Sequence, residues 1–175
     1  GTVHETLNLA ALMQLPIIFI VENNMFGSHM HISQRQPNYS TARFADANKI
    51  NKIVVDGNDV IQVVDAISIL SNNARTKNEP GFLEAYTYRW YGHVDWRDDI
   101  DVGVSRSKKD LIAWKKRDPI KRLSESLINA NLIIDDDIKM IIENTKKIIN
   151  IEWEKAKNDP YPMDFKLMEY VYKAV

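Results

Sequence analysis

The segment Val21-Glu22-Asn23-Asn24-Met25-Phe26-Gly27 sets two adjacent amides and a glycine directly behind an unbroken apolar run, Pro16 to Val21. Side-chain amide oxygens and main-chain carbonyls are hard donors that suit Mg²⁺ or Ca²⁺. A glycine among them permits the sharp turn that would aim carbonyls inward. Magnesium normally also takes a carboxylate. Upstream of Asn24 only Glu5 and Glu22 offer one, and Glu5 lies in helix-like sequence. By spacing alone the segment fits either one face of a metal site or a plain turn. A second candidate begins at Arg89, with Tyr91 and His93 close behind. An arginine and a nearby histidine can grip an oxyanion from two sides. The bland reading pairs Arg89 with a surface acid and leaves His93 as a loop histidine. His29 and His31 share one side of an extended loop and could take zinc with His93 or His4. Trp90, Tyr91 and Trp96 could stack on a substrate ring, or anchor their loop to the core or to a partner subunit.

The elements that must carry these residues can be read from the hydrophobic pattern. Thr2 to Gln14 has helical spacing through Val3, Leu7, Ala10, Ala11 and Met13. The run "IIFIV" does not alternate, as expected of a parallel strand covered on both faces. Glu22 to Tyr39 is expected to be a long polar loop, and Ser40 to Asn48 a short helix. Lys52 to Gly57 reads as a strand ending in a turn. Asp59 with Gln62 forms a capping-box start for a helix carrying Val60, Val63, Val64, Ile67 and Leu70. Pro80 and Gly81 then precede a third strand, Phe82 to Arg89. This alternation predicts an α/β fold with a parallel sheet flanked by helices. Ligands in such sheets bind beyond the carboxyl ends of the strands, where both candidate segments fall.

Beyond Arg89 an aromatic and acidic loop leads into helices at Lys108 to Lys116, Pro119 to Ala130 and Asp135 to Asn158. The last carries a single stripe of Ile138, Ile141, Ile142, Thr145, Ile148, Ile149 and Trp153, expected to be packing. The terminal segment from Tyr161 reads as an arm with aromatic anchors, suited to an oligomer contact. Residues 1–106 are therefore expected to form the α/β part, and residues 107–175 a helical extension and arm of the same domain.

The bulk numbers narrow the function classes. With 175 residues, 45% hydrophobic and 27% charged, the chain can bury a core of its own. A formal net charge of −1 argues against nucleic acid or an anionic membrane as partner. No cysteine is present, so disulfides and thiolate metal sites are excluded. No apolar run approaches the roughly twenty residues of a membrane span, and no signal peptide is visible. A cytoplasmic location is the expectation.

In order along the chain, "GTVHETLNLAALMQLPIIFIVENNMFG", "VDGND", "FLEAYTYRWYGH" and "DLIAWKKRDPIKRL" resemble the alpha subunit of thiamine-diphosphate-dependent 2-oxo acid dehydrogenases. These are the decarboxylating components of pyruvate, branched-chain and acetoin dehydrogenase complexes. The resemblance runs from Gly1 to about Pro162. It implies an incomplete thiamine-diphosphate-binding fold, with thiamine diphosphate and Mg²⁺ as cofactors. Asn24 would ligate the metal through its side-chain oxygen and Phe26 through its main-chain carbonyl. Phe26 stands where the family often has tyrosine, a harmless change for a backbone ligand. Arg89 would hold the diphosphate, and His93 would reach the reacting centre as the catalytic residue. A diphosphate in a cleft needs such a cationic clamp besides its metal. The thiazolium would act as electron sink for decarboxylation of a small 2-oxo acid. The acyl or aldehyde unit would pass to an acceptor such as a lipoyl group on an acyltransferase. The resemblance also implies a beta subunit, which supplies the cofactor-activating glutamate, in an assembly of two alpha and two beta chains.

The chain departs from the family in two places. The Gly-Asp-Gly opening of the cofactor motif, with its metal-binding aspartate, would precede Gly1, so the chain is expected to be a carboxyl-terminal portion. A non-catalytic fragment or interaction module on the same scaffold is the alternative. Second, Val94 follows His93 where many relatives have a serine, in some a phosphorylation site. Asp95, Asp98, Asp99 and Asp101 come next. They are expected to turn away from a diphosphate, pairing with Arg97 and Arg106 or capping the next helix. Alternatively they would recognise a cationic or polyhydroxylated substrate, as in a branch of surface-sugar or secondary metabolism.

Overall fold

The computed structural model describes residues 1–94, 106–164 and 166. Two compact units divide the chain, Gly1–Ser126 and Leu127–Val175. The first unit contains α1 (Thr2–Leu12), β1 (Ile18–Asn23), β2 (Phe26–Gly27), β3 (Met30–His31), α2 (Arg43–Ala47), β4 (Asn51–Asp56), α3 (Val60–Lys77), β5 (Gly81–Tyr86) and α4 (Lys108–Lys115). α5 (Pro119–Asn129) runs through the boundary, and α6 (Asp135–Asn158) lies in the second unit.

Three parallel strands lie in the order β1-β5-β4, so β5 is central. Register places Phe19, Val21 and Asn23 on the same face as Phe82 and Glu84. That face is closed by Leu7 of α1 and by Ala42, Ala45 and Ile50. On the other face, Ile53 and Val55 join Leu83 and Ala85 beneath Ala66 and Leu70 of α3. A fully buried leucine such as Leu7, Leu70 or Leu83 contributes about 1.5–3 kcal/mol. The helix starts at Asp59 as expected, with Asp59 Oδ1 accepting from Gln62 N, but the capping box is only half formed: Asp59 N donates to Asp56 O, and Gln62 Nε2 donates to Asp59 Oδ2.

Three expectations need correction. The edge strands are not covered on both faces: Ile20 is 57% exposed and Val54 45% exposed. The two lie on opposite faces of the sheet, Ile20 in register with Leu83 and Val54 with Glu84. The Glu22 to Tyr39 segment is not a featureless loop. It holds the β2–β3 hairpin and a 3₁₀ turn at Ile32–Gln34. The stripe on α6 forms on a helix of the expected bounds, but Ile148 and Trp153, at 62% and 65%, are exposed rather than packed. Among the described residues, no helix is long and apolar enough to cross a membrane.

Candidate functional site

The hairpin beyond β1 is shaped by its asparagines. Asn23 Oδ1 accepts from Met25 N at 3.1 Å, and Asn24 Oδ1 accepts from Phe26 N at 3.0 Å. These two consecutive side-chain turns reverse the chain through Met25, which takes a left-handed φ of 68°. Ser28, at φ 57°, closes the hairpin. Gly27 therefore does not supply the turn, contrary to expectation. Its own constraint is space: a Cβ there would stand 2.9 Å from Arg35 Cζ.

The hairpin ladder fixes where the Phe26 carbonyl faces. Ile32 N donates to Met25 O at 2.7 Å, and Phe26 pairs in register with His31. Antiparallel pairs alternate, so Phe26 and His31 form the non-bonded pair, with peptide groups turned outward. Both outward N–H groups have side-chain acceptors, Asn24 Oδ1 for Phe26 and Gln34 Oε1 for His31. The Phe26 carbonyl is thus turned to the same side as Asn24 Oδ1. Two hard oxygens on one side of a fixed turn fit a divalent cation of the magnesium type. Both are neutral, so a complete site requires further ligands. Among the described residues no three His, Cys, Asp or Glu side chains converge on a metal-sized site.

The residues beyond β5 meet this hairpin. Arg89 Nη2 donates to Ser28 O at 2.8 Å, and its Cζ lies 5.8 Å from the Phe26 ring centroid. The His93 ring meets His29 edge-on at 6.1 Å. Phe26, Arg89 and His93 therefore occupy one neighbourhood, with a cationic side chain at its wall. The other two histidines weighed for zinc do not join that pair. His31 Nδ1 bonds Ser33 Oγ at 2.8 Å, and His4 packs edge-on against Phe44 at 4.7 Å.

Arg106 is almost fully buried and donates to two backbone carbonyls, Arg89 O at 2.5 Å and Tyr91 O at 3.1 Å. It thereby fixes the segment that follows the strand; its expected pairing with Asp95, Asp98, Asp99 and Asp101 falls on residues outside those described. Asp95, Arg97, Asp98, Asp99, Asp101 and Trp96 lie outside the described residues. Tyr88 stacks on Trp114 at 5.7 Å with an interplanar angle of 10°, and Arg117 Cζ lies over the Trp114 ring at 4.1 Å. Trp90 is half-buried, and Tyr91 is exposed with Lys115 Nζ 5.9 Å from its ring.

Two carboxylates that the sequence did not single out hold these loops. Glu84, in the middle of β5, is 0% exposed. Its Oε1 accepts from Asn23 Nδ2 at 2.7 Å, Thr41 N at 2.8 Å and Thr41 Oγ1 at 2.9 Å. Its Oε2 accepts from Ser40 Oγ at 2.5 Å and Ala42 N at 3.1 Å. Burial pushes its pKa up, but the donors from Ser40, Thr41 and Asn23 outweigh it, and the net shift is downward. Burial and the Glu84 charge push the Tyr86 phenol up. A glutamate inside an apolar parallel strand, "FLEAY", was the available signal. Asp56, at the end of β4, takes Arg117 Nη2 at 2.7 Å and Arg122 Nη1 at 2.8 Å. Burial raises its pKa, but Arg117, the Asn58 N–H and Arg122 lower it by more, again with a net downward shift. Asn58 completes this corner, donating to Arg117 O at 2.9 Å and accepting from Thr87 Oγ1 at 2.8 Å.

The fold and loops thus define a parallel α/β domain with an amide-capped hairpin facing a cationic strand end. The chain belongs to the dehydrogenase E1 component family, whose model matches residues 1–164. It is 33% identical to the testis-specific mitochondrial alpha subunit of the human pyruvate dehydrogenase E1 component, over 99% of this chain and 44% of that protein. Against the corresponding alpha subunit of Porphyra purpurea it is 33% identical over 98% of this chain and 49% of the relative. For Rickettsia bellii the figures are 27%, 98% and 52%. The chain spans about half the length of these relatives.

Proposed function

We propose that this chain supplies the metal-facing and diphosphate-facing part of a thiamine-diphosphate site in the alpha subunit of a 2-oxo acid dehydrogenase. The observation that carries this reading is the outward side of the hairpin. There Asn24 Oδ1 and the Phe26 carbonyl face the same way, while Arg89 joins the hairpin through Ser28 O. Asn24 and Phe26 would present oxygens to Mg²⁺, and Arg89 would hold the diphosphate. Thiamine diphosphate, when bound, supplies the electron sink for loss of carbon dioxide from a small 2-oxo acid. His93, exposed at the loop, would reach the reacting centre as the catalytic residue. Arg106 keeps Arg89 in place by bonding its carbonyl. Family membership supports a beta subunit as partner, and a lipoyl-bearing acyltransferase is the proposed acceptor.

Calorimetric titration of thiamine diphosphate with Mg²⁺ into the intact enzyme, with its beta partner, tests the reading. Asn24→Ala is expected to weaken binding at least about tenfold, as loss of a metal ligand should. Unchanged binding in Asn24→Ala would defeat the metal assignment.

A further inference from the structure

We propose that Glu84 is a positioning residue for the metal-facing hairpin, acting through Asn23. The inference rests on the reading of Asn24 and Phe26 as metal-facing oxygens. The two adjacent asparagines divide the work. Asn24 shapes the exposed side of the turn, whereas Asn23 is buried and points its amide into the sheet. Asn23 Nδ2 is held by Glu84 Oε1 at 2.7 Å and by Tyr39 O at 2.9 Å. Its Oδ1 is thereby aimed at Met25 N, and the Asn23 carbonyl accepts from Thr87 N at 3.0 Å. Met25 is the residue with positive φ that turns the chain back, so the conformation presenting Phe26 starts from this amide. A side-chain amide can flip end for end. Here a flip would set its oxygen against the Glu84 carboxylate and its NH₂ against Met25 N–H, so a carboxylate at this place locks one orientation.

The same carboxylate gathers Ser40, Thr41 and Ala42, which enter the fold about forty residues from β5 in sequence. A neutral glutamine could not replace it. Either orientation of the new amide would aim N–H groups at donors, because each carboxylate oxygen already accepts at least two hydrogen bonds. Glu84 therefore relates to Asn24 and Phe26 as an outer-shell brace relates to a ligand pair. Changes in such braces typically cost about 10–100-fold in metal affinity.

The test is Mn²⁺ binding followed by electron paramagnetic resonance, in the intact enzyme with thiamine diphosphate present. Thermal unfolding is recorded alongside, for Glu84→Gln, Asn23→Ala, their double variant and Asn24→Ala. Glu84→Gln and Asn23→Ala are each expected to raise the Mn²⁺ Kd about tenfold or more, with the double variant no worse than about threefold beyond the weaker single. A lowered Tm with wild-type Kd for Glu84→Gln, while Asn24→Ala loses affinity, would assign Glu84 to the fold alone and overturn the proposal. Additive effects in the double variant would also overturn it, because they deny action through Asn23. Unchanged Kd in Asn24→Ala would instead remove the underlying reading of the hairpin, a separate result. If Glu84→Gln fails to fold, Asn23→Ala decides, since it leaves Glu84 its bonds from Ser40, Thr41 and Ala42. A wild-type Kd in that variant overturns the proposal.

Discussion

Glu84 and Asp56 sit on neighbouring strands of one sheet, and their charges are satisfied in opposite ways. Glu84 has no exposed surface, and its donors are an amide, two hydroxyls and two backbone N–H groups. Asp56 is partly exposed and meets two guanidinium groups that are themselves partly exposed. Neutral donors give no net charge cancellation, but each is aimed by the chain that carries it. A carboxylate held that way therefore fixes the conformation of several segments together. Paired arginines reach in on long side chains and tolerate movement, so Asp56 fastens α5 and the α4–α5 connection to β4 without dictating backbone detail. The first arrangement suits a loop that must present oxygens at fixed positions, and the second suits attachment of helices.

This contrast should appear most strongly in stability. Glu84→Ala leaves a cluster of buried donors without an acceptor, and is expected to cost about 3–5 kcal/mol in urea unfolding. A loss under about 1 kcal/mol would mean that water replaces the carboxylate readily. The pH dependence has a defined sign. The folded pKa of Glu84 lies below its ordinary value of 4.5, so its contribution is fully present above that value. It is lost as pH falls through the lowered folded pKa. The gap between wild type and Glu84→Ala should therefore be constant at neutral pH and narrow only below about 4.5.

Asp56→Asn is expected to cost less, about 2 kcal/mol, because Arg117 and Arg122 retain solvent and Arg122 retains Asp59. Salt separates the two carboxylates. Raising ionic strength should shrink the cost of Asp56→Asn and leave that of Glu84→Ala unchanged, since only the first involves partly solvated ion pairs. Equal salt responses would erase the distinction.

Legibility in the sequence follows the range of the forces involved. The start of α3, the bounds of α6 and the runs of β1 and β5 were readable because periodicity and capping are local, as with Asp59 and Gln62. The hairpin was not. Its turn is Ser28-His29 rather than a glycine-containing pair, and its closing bond from Arg89 comes from 61 residues away. The gathering of Asn24, Phe26, Arg89 and His93 as candidates came from the order of motifs, not from spacing, which favoured a plain turn. Glu84 stayed invisible for the same reason as the hairpin, because its donors lie 42 to 61 residues earlier. Ile20 and Val54 mark the opposite limit, since an apolar run announces that a face prefers cover without saying what covers it.

Two glycines carry the comparison down to single methyl groups. At Gly57, beside Asp56, a Cβ would stand 2.8 Å from the Tyr86 carbonyl oxygen, and Gly57 N already donates to that oxygen at 2.7 Å. The obstructing atom is backbone of the central strand and cannot give way. Gly57→Ala is expected to cost about 2 kcal/mol, in the range of overpacked cores. A neutral substitution would show that the β4 end can separate from β5.

Gly27 presents the opposite case, although its nominal clash at 2.9 Å is similar. Here the obstructing atoms are Arg35 Cζ, Nε and Nη1, the far end of a flexible side chain. Gly27 lies outside the left-handed region, so alanine suits its backbone in β2. Losing glycine also lowers the entropy of the unfolded chain, which stabilises by about 0.4–1 kcal/mol where the native backbone is compatible. Moving Arg35 opposes that gain with a cost of similar size. Gly27→Ala should therefore change stability by no more than about 0.5 kcal/mol in either direction. Metal binding gives the sharper reading. If the hairpin is set from its buried side by Asn23 and Glu84, a methyl group facing Arg35 should leave the Mn²⁺ Kd within about twofold of wild type. A tenfold loss would place control of the hairpin at Arg35 instead.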